Sequence, residues 1–274
     1  GWWMFTKKTI RDIDLSGKTV LLRADYNVPL DKGKITDDYR IKQSLPTINY
    51  LLDHADKIII CSHLGRPKGP DDSANSLFPV AKRLQQLLDK PVEFAVDCVG
   101  DAAAKAAKGL QKGEVLLLEN LRFHSEEEAN DAKFAQKLAS LADVFVQDGF
   151  GVVHRAHAST DAVTKYLPSV AGLLLEKEVD TITNVMQKPQ RPLMAIVGGA
   201  KIADKIEILE RFLDIADFIA IGGAMANPFL AARGVDVGNS LFDKKDVPIA
   251  KEILRKAEVE SKKRPFTFAV PHDG

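Results

Sequence analysis

A chain of 274 residues exceeds one average compact domain and favours two. Its 38 basic and 38 acidic residues cancel, which argues against the basic excess of a dedicated nucleic-acid-binding domain. With 45% apolar residues it can bury a core, yet no apolar run approaches the about 20 residues that span a bilayer, and no signal peptide is read at its start.

Gly1-Trp2-Trp3, ahead of Met4, is set aside as foreign to the fold. The first strand is predicted at 19–24, and its exit carries Arg23, Asp25 and Asn27 at alternate positions, which point the same way in an extended chain. Pro29 keeps that segment from continuing as an interior strand. Arg40 follows the acidic Thr36-Asp37-Asp38-Tyr39 and begins a helix pattern of Ile41, Leu45, Ile48 and Leu52. Pro46 is tolerable there only near the first turn.

A second strand, 57–61, exits into His63, Gly65 and Arg66. Val80, Leu84, Leu87 and Leu88 predict a helix before a strand at 92–96. The strand at 115–118 exits into Arg122 and His124, and Glu126, Glu127 and Glu128 read as an exposed charged loop. A helix patterned by Phe134, Leu138 and Leu141 precedes a strand at 144–146, whose exit carries His154, Arg155 and His157. Cys61 and Cys98 each adjoin an apolar run and read as buried, reduced thiols of a cytoplasmic protein.

A boundary falls between Pro168 and Pro192, which hold a helical stretch, 172–186, and then Gln187-Lys188-Pro189-Gln190-Arg191-Pro192. Beyond it, strands are predicted at 193–197, 218–221 and 266–270, with a helix patterned by Ile206, Leu209 and Leu213. Gly198-Gly199 and Gly222-Gly223 end the first two of these strands. Strands alternating with helices predict an α/β chain with mainly parallel sheets.

Ligands of such sheets bind beyond the carboxyl ends of the strands. One arginine past a strand is ordinarily a solvated surface residue. Four strand exits bearing Arg or His, in a chain without basic excess, predict a crevice for a small anion such as phosphate or carboxylate. His154 and His157 could pair on a metal, but no further Cys or His at suitable spacing completes a zinc set.

The two Gly-Gly turns offer backbone N–H groups to phosphate, although neither is a P-loop nor a GxGxxG turn. Lys201 and Lys205 are four apart, which on a helix puts both on one face. A polyphosphate between them is one reading. The other is a surface pair of Lys205 with Asp204 or Glu207, with Lys201 closing a turn.

Read together, Arg23-Ala24-Asp25-Tyr26-Asn27-Val28-Pro29-Leu30, "ITDDYRI", "LPTINYLL", "SHLGRPKG", "LLLENLRFH", "DGFGVVHRAHAST" and "VGGAKIADKIEIL" resemble the phosphoglycerate kinase family, from about Lys8 to Ala257. The resemblance implies a Rossmann-like, parallel-sheet N-terminal domain at 4–170 that binds 3-phosphoglycerate. It also implies an interdomain hinge helix and linker at 171–190 and an incomplete second α/β domain at 191–274 for nucleotide. The implied reaction is reversible phosphoryl transfer between 1,3-bisphosphoglycerate and ADP, giving 3-phosphoglycerate and ATP, with Mg²⁺.

Carried over by motif, Asp25, Asn27, Arg40, His63, Arg66, Arg122 and Arg155 hold the glycerate substrate, with Arg23, His154 and His157 nearby. Arg40 and Lys201 act on the transferring phosphoryl group, and Gly198, Gly199, Lys201, Lys205, Gly222 and Gly223 border the nucleotide. No protein metal ligand is assigned. Family chains continue past the position matching Gly274, so the resemblance implies glycerate affinity with weak or absent turnover, and self-association where the family is usually monomeric. A non-catalytic relative that binds 3-phosphoglycerate or a protein partner is the rival reading. Ala224 and Pro228 depart from the family pattern and bear on the nucleotide side, and Gly149 stands where alanine is common.

Overall fold

The computed structural model describes residues 8–153, 155–199, 201–240 and 242–271, apart from the side chain of Asp204. His154 therefore lies outside the described residues. The chain divides by its contacts into an N-terminal unit that ends at Val179 and a C-terminal unit that begins at Asp180.

In the N-terminal unit, β1 (Thr19–Arg23) is followed by the hairpin β2 (Leu30–Asp31) and β3 (Lys34–Ile35). Then come α1 (Tyr39–His54), β4 (Lys57–Cys61), α2 (Phe78–Leu88), β5 (Val92–Ala95), α3 (Asp101–Gly109) and β6 (Val115–Leu118). The short α4 (Ser125–Glu128), α5 (Ala132–Ala139), β7 (Val144–Gln147), β8 (Ser169–Ala171) and the start of α6 (Leu173–Gln187) complete it. The six strands form a parallel sheet in the order β5-β6-β4-β1-β7-β8.

Why these strands read as unbroken apolar runs is visible in the packing. Val20, Leu22, Ile58, Ile60, Val115 and Leu117 face one core, shared with α1 and α2. Leu21, Ile59, Cys61, Leu116, Leu118 and Phe145 face the other, shared with α3 and α5. Both faces are covered, so neither parity of residue can be polar. After β1 the chain adds β4, β6 and β5 on one side and β7 and β8 on the other. The strand order thus reverses at β1, and that switch point opens the crevice.

Two local expectations are corrected. Pro46 stands mid-way along α1 instead of in its first turn; it is exposed, so the carbonyl left without a donor can be hydrated. The expected stripe of α1 does face the core, with Ile41 and Ile48 buried and Leu45 and Leu52 packed partly buried against it, and it widens to include Ser44, Thr47 and Leu51. Glu126 to Glu128 form α4, and Glu127 is fully buried. The β2–β3 hairpin and β8 went unpredicted; Lys32 and Gly33 turn the hairpin with φ of 48° and 76°, the paired positive values of a type I′ turn.

The C-terminal unit contains β9 (Met194–Gly198), α7 (Ile206–Ile215), β10 (Phe218–Gly222), α8 (Ala226–Ala232), α9 (Asp246–Lys263) and β11 (Thr267–Ala269). Its parallel sheet runs β11-β10-β9. Ala195, Val197, Ile219 and Ile221 bury one face against Leu209, Leu213, Phe229 and Ile253. On the opposite face of β9, Met194 is 62% and Ile196 79% exposed.

Candidate functional site

At the exits of β1, β4 and β6 the backbone is pinned by buried polar side chains. Ser62 Oγ accepts the Tyr26 N–H at 2.8 Å, and the Ser62 carbonyl accepts the Leu121 N–H. Asn120, fully buried, accepts the Leu64 and Arg122 N–H groups and donates to the Leu64 and Asn75 carbonyls. Asn27 Oδ1 accepts the Gly65 N–H at 2.8 Å, while the Gly65 carbonyl accepts Arg122 Nη1 at 3.0 Å. The residue between these bonds must be small: φ of Gly65 is +61°, and a Cβ would lie 2.2 Å from Asn75 Oδ1.

Cations gather on this frame. Arg40 Nη1 reaches Asp25 Oδ1 at 3.1 Å and the Asn27 carbonyl at 3.2 Å. Gly151 lets its backbone back onto the same carboxylate, since a Cβ there would lie 2.7 Å from Asp25 Oδ2. Arg122 Nε is buried and has no partner among the described residues, so one of its donors is left unused there. Arg23, fully buried, donates from Nη2 to His63 Nδ1 at 3.0 Å, from Nη1 to the Ala24 carbonyl, and from Nε to Ser159 Oγ at 2.7 Å. Ser159 in turn donates its hydroxyl and N–H to the Glu127 carboxylate, at 2.6 and 2.7 Å.

His63 is not one of the cations. Burial, with the like charges of Arg23, Arg122, Arg40 and Arg155, drives its pKa down to about 2. Arg23 touches this neutral imidazole, and Arg122, Arg40 and Arg155 lie within electrostatic reach of it. Since arginine can only donate, Nδ1 accepts and the proton sits on Nε2. Burial likewise lowers His157. Of the histidines expected in or near the basic patch, His63 and His157 are thus neutral at neutral pH, and among the described residues its charge comes from the arginines. Arg155 is exposed but within electrostatic reach of His63, Arg122 and His157. Arg66 is exposed, with no hydrogen bond or ion pair among the described residues; only its neighbour Gly65 ties it to the frame.

A cleft runs from Asp25 and Arg40 past Gly151 to Asp148. Asp148 Oδ1 accepts the Leu174 and Leu175 N–H groups at the start of α6, and Oδ2 is buried without a partner among the described residues. Burial raises its carboxyl to about 6, against the lowering effect of the hydrogen bonds from Thr47, Leu175 and Leu174.

In the C-terminal unit, Gly198 pairs with Gly222 across β9 and β10, so the two Gly-Gly turns lie side by side. A Cβ on Gly223 would meet the Gly199 carbonyl at 3.7 Å, and one on Gly199 would meet Lys205 Cε at 3.8 Å. The Gly199 carbonyl accepts the Met225 N–H at 3.0 Å. The helical pairing expected of Lys201 and Lys205 is corrected. Lys201 is extended (φ −129°, ψ 130°), a 3-10 turn spans Ile202–Lys205, and α7 starts only at Ile206. Buried Asp246 holds this turn by accepting the Ile202 N–H at 3.2 Å. Pro228 falls in the first turn of α8, where a missing N–H costs no intrahelical bond.

The phosphoglycerate kinase family profile matches residues 10–273. The chain belongs to the phosphoglycerate kinase family. It is 51% identical over 267 residues to a phosphoglycerate kinase of Pelotomaculum thermopropionicum, covering 97% of this chain and 67% of that one. A phosphoglycerate kinase of Moorella thermoacetica is 52% identical over 251 residues, covering 92% and 64%. Among solved structures, phosphoglycerate kinase from Coxiella burnetii superposes with a TM-score of 0.70 at 36% identity, covering 97% of this chain and 66% of that one. The Pyrococcus horikoshii OT3 enzyme gives 0.73 at 32% identity, covering 96% and 67%. The chain thus spans about two thirds of the length of its phosphoglycerate kinase relatives.

Within this phosphoglycerate kinase fold the structure brings Asp25, Asn27, Arg40, His63 and Arg122 into one connected set, with Arg155 in reach. Sequence reasoning missed Glu127, Ser159, Asn120 and Ser62, which hold that set from beneath. The one available signal was position: Ser62 directly follows the apolar strand β4 and Asn120 comes two residues after β6, where a polar residue must either meet solvent or find a buried partner.

Proposed function

We propose that the N-terminal unit binds 3-phosphoglycerate and that the protein serves reversible phosphoryl transfer between 1,3-bisphosphoglycerate and ADP. The observation that carries this is the hydrogen-bonded set of Asp25, Arg40, Asn27, Gly65 and Arg122 beside the Arg23–His63 contact at the strand exits, with Arg155 within electrostatic reach. Forked guanidinium groups match the oxygens of a carboxylate and a phosphate, and a neutral imidazole adds a donor without competing for the charge. Asp25 and Asn27 fix Arg40 and Gly65 before any substrate arrives, so little ordering remains for binding to supply.

The leaving group of an acyl phosphate is a carboxylate, which needs no strong acid. Catalysis then rests on positioning and on cations at the transferring group, the roles we assign to Arg40 and Lys201. The paired Gly-Gly turns and Lys205 suit nucleotide phosphates, because their backbones approach without Cβ atoms in the way. Magnesium would travel with the nucleotide, held mainly by phosphate oxygens and water. Among the described residues the only cluster of three metal-ligating side chains contains a thiol and lies in the other unit, so it does not fit this ion. No helix among the described residues is long and apolar enough to cross a membrane. Two buried free thiols suit the reducing cytoplasm, where we place the protein.

Calorimetric titration of the chain with 3-phosphoglycerate, and separately with ADP, tests the assignment. Saturable glycerate binding that falls on loss of Arg122 supports it. Absence of glycerate binding by the folded chain overturns it.

A further inference from the structure

Outside the arginine set, one group of side chains remains without a task. Asp97 and Cys98 lie in the turn between β5 and α3, and His124 lies between β6 and α4. Since β5 and β6 are parallel neighbours, with Ala95 opposite Leu118, both turns leave the same end of the sheet side by side. Asp97 Oδ1 stands 2.7 Å from His124 Nε2, and one ligand atom from each of Asp97, Cys98 and His124 lies within 4.8 Å of the others. The Cys98 thiol is fully buried, whereas Asp97 and His124 keep 42% and 27% of their side-chain surface in contact with solvent. The group therefore has a closed floor and an open mouth.

The donor set selects the ion. Thiolate, imidazole and carboxylate together suit Zn²⁺, or Co²⁺ in its place, and discriminate against Mg²⁺ and Ca²⁺, which take oxygen alone. Bonds of about 2.0 to 2.3 Å in tetrahedral geometry separate ligand atoms by roughly 3.3 to 3.8 Å. The observed spread requires opening the Asp97–His124 contact by about half an ångström and drawing Cys98 Sγ inward. The backbone is already braced for this, because Asp97 Oδ1 accepts the Cys98 N–H at 2.7 Å. The ring of His124 packs on Phe134, with centroids 5.4 Å apart.

We propose that Asp97, Cys98 and His124 form a three-ligand site for a zinc-class divalent cation, with water in the fourth position. On binding, the thiol proton of Cys98 leaves to solvent, the Nε2 proton that His124 donates to Asp97 Oδ1 moves through solvent to Nδ1, and His124 ligates through the freed Nε2. Arg122 shares the turn that ends in His124, so the site adjoins the arginine set without overlapping it.

Titration of the purified chain with Co²⁺, followed by absorbance, tests the proposal and needs no turnover or glycerate binding. The expected result is saturation at one ion per chain, with a sulfur-to-cobalt charge-transfer band that Zn²⁺ displaces. Cys98→Ala removes that band, His124→Gln weakens binding by about tenfold or more, and Cys61→Ala leaves both unchanged. Circular dichroism confirms the fold of each variant; should Cys98→Ala not fold, the partly exposed His124→Gln decides alone. No saturable band, or a band unaltered by the change at His124, overturns the site.

Discussion

Arg23 and His63 meet at 3.0 Å, both buried, with the guanidinium donating to Nδ1. This contact fixes the imidazole as the Nε2–H tautomer, and burial with its four cationic neighbours holds the pKa near 2. His63 therefore stays neutral across the range in which an ordinary histidine titrates. Nitrogen chemical shifts of His63 are expected to show one tautomer from pH 8 to about pH 5. Because the folded pKa lies below the unfolded one, the unfolded chain takes up the proton first, and stability is lost as pH falls below about 6.5. His63→Gln flattens that part of the profile. A His63 resonance titrating near pH 6.5 in the folded chain contradicts the arrangement.

Glu127 is the acid that makes buried Arg23 tolerable, acting through the Ser159 hydroxyl that it accepts at 2.6 Å. Glu127→Ala leaves a buried guanidinium without its counter-charge, a loss of about 3 kcal/mol in unfolding free energy. Glu127→Gln keeps a hydrogen-bond acceptor and costs less. Urea unfolding of the two variants measures the difference; equal midpoints for Glu127→Ala and the parent sequence would show that Arg23 is compensated elsewhere.

The arginine assignment has its own test. Arg122 has a buried Nε without a partner among the described residues and uses Nη1 to hold the Gly65 carbonyl. Arg122→Ala is expected to weaken 3-phosphoglycerate by about 10- to 100-fold, the worth of a charge-assisted hydrogen-bond pair. Arg66→Ala, which breaks no hydrogen bond or ion pair to the described residues, should change affinity without changing stability. Calorimetry and melting curves on both variants separate these outcomes.

How far the sequence could be read follows from the range of each interaction. Strands such as 57–61 and 115–118 were legible to the residue, because burial on both faces demands an unbroken apolar run. The position of the arginines at the strand exits was legible because it follows from topology, more than from contact detail. The charge of His63 was not, since it depends on arginines brought from Arg23 to Arg155 by the fold. Glu127 was hidden for a similar reason: three consecutive glutamates pattern as solvated, and only the return of Ser159 buries the middle one. The lysine pair failed locally, because two glycines and an extended Lys201 delay the helix to Ile206.

Gly172 is required by Asp148. A Cβ at Gly172 would stand 2.3 Å from Asp148 Oδ1, the atom that receives the Leu174 and Leu175 N–H groups in the first turn of α6. Gly172→Ala must push that carboxylate away and give up the cap, at about 1–3 kcal/mol. Gly69→Ala, with nothing within 4 Å of its Cβ, is the matched control and is expected to be neutral. Thermal unfolding of the pair checks it, and equal melting temperatures would remove the proposed constraint.

Asp148 also gives stability a pH dependence of unusual sign. Its folded pKa of about 6 lies above the ordinary 3.8, because burial outweighs its hydrogen bonds. The folded chain thus holds a proton that the unfolded chain has released. The stabilisation is full below about pH 4 and is lost as pH rises through 6, a change of about 3 kcal/mol for a shift of this size. Acids such as Asp38 and Asp217, whose pKa values are lowered by Arg83 and by the Leu193 N–H, slope the opposite way, so the parent profile alone will not isolate it. Asp148→Asn mimics the protonated carboxyl at every pH. The stability of the variant relative to the parent should therefore climb between pH 4 and 6.5 and level off above. Unfolding midpoints measured across that interval decide the matter: a constant difference would mean that Asp148 is ionised in the folded chain throughout, with its buried Oδ2 satisfied by water.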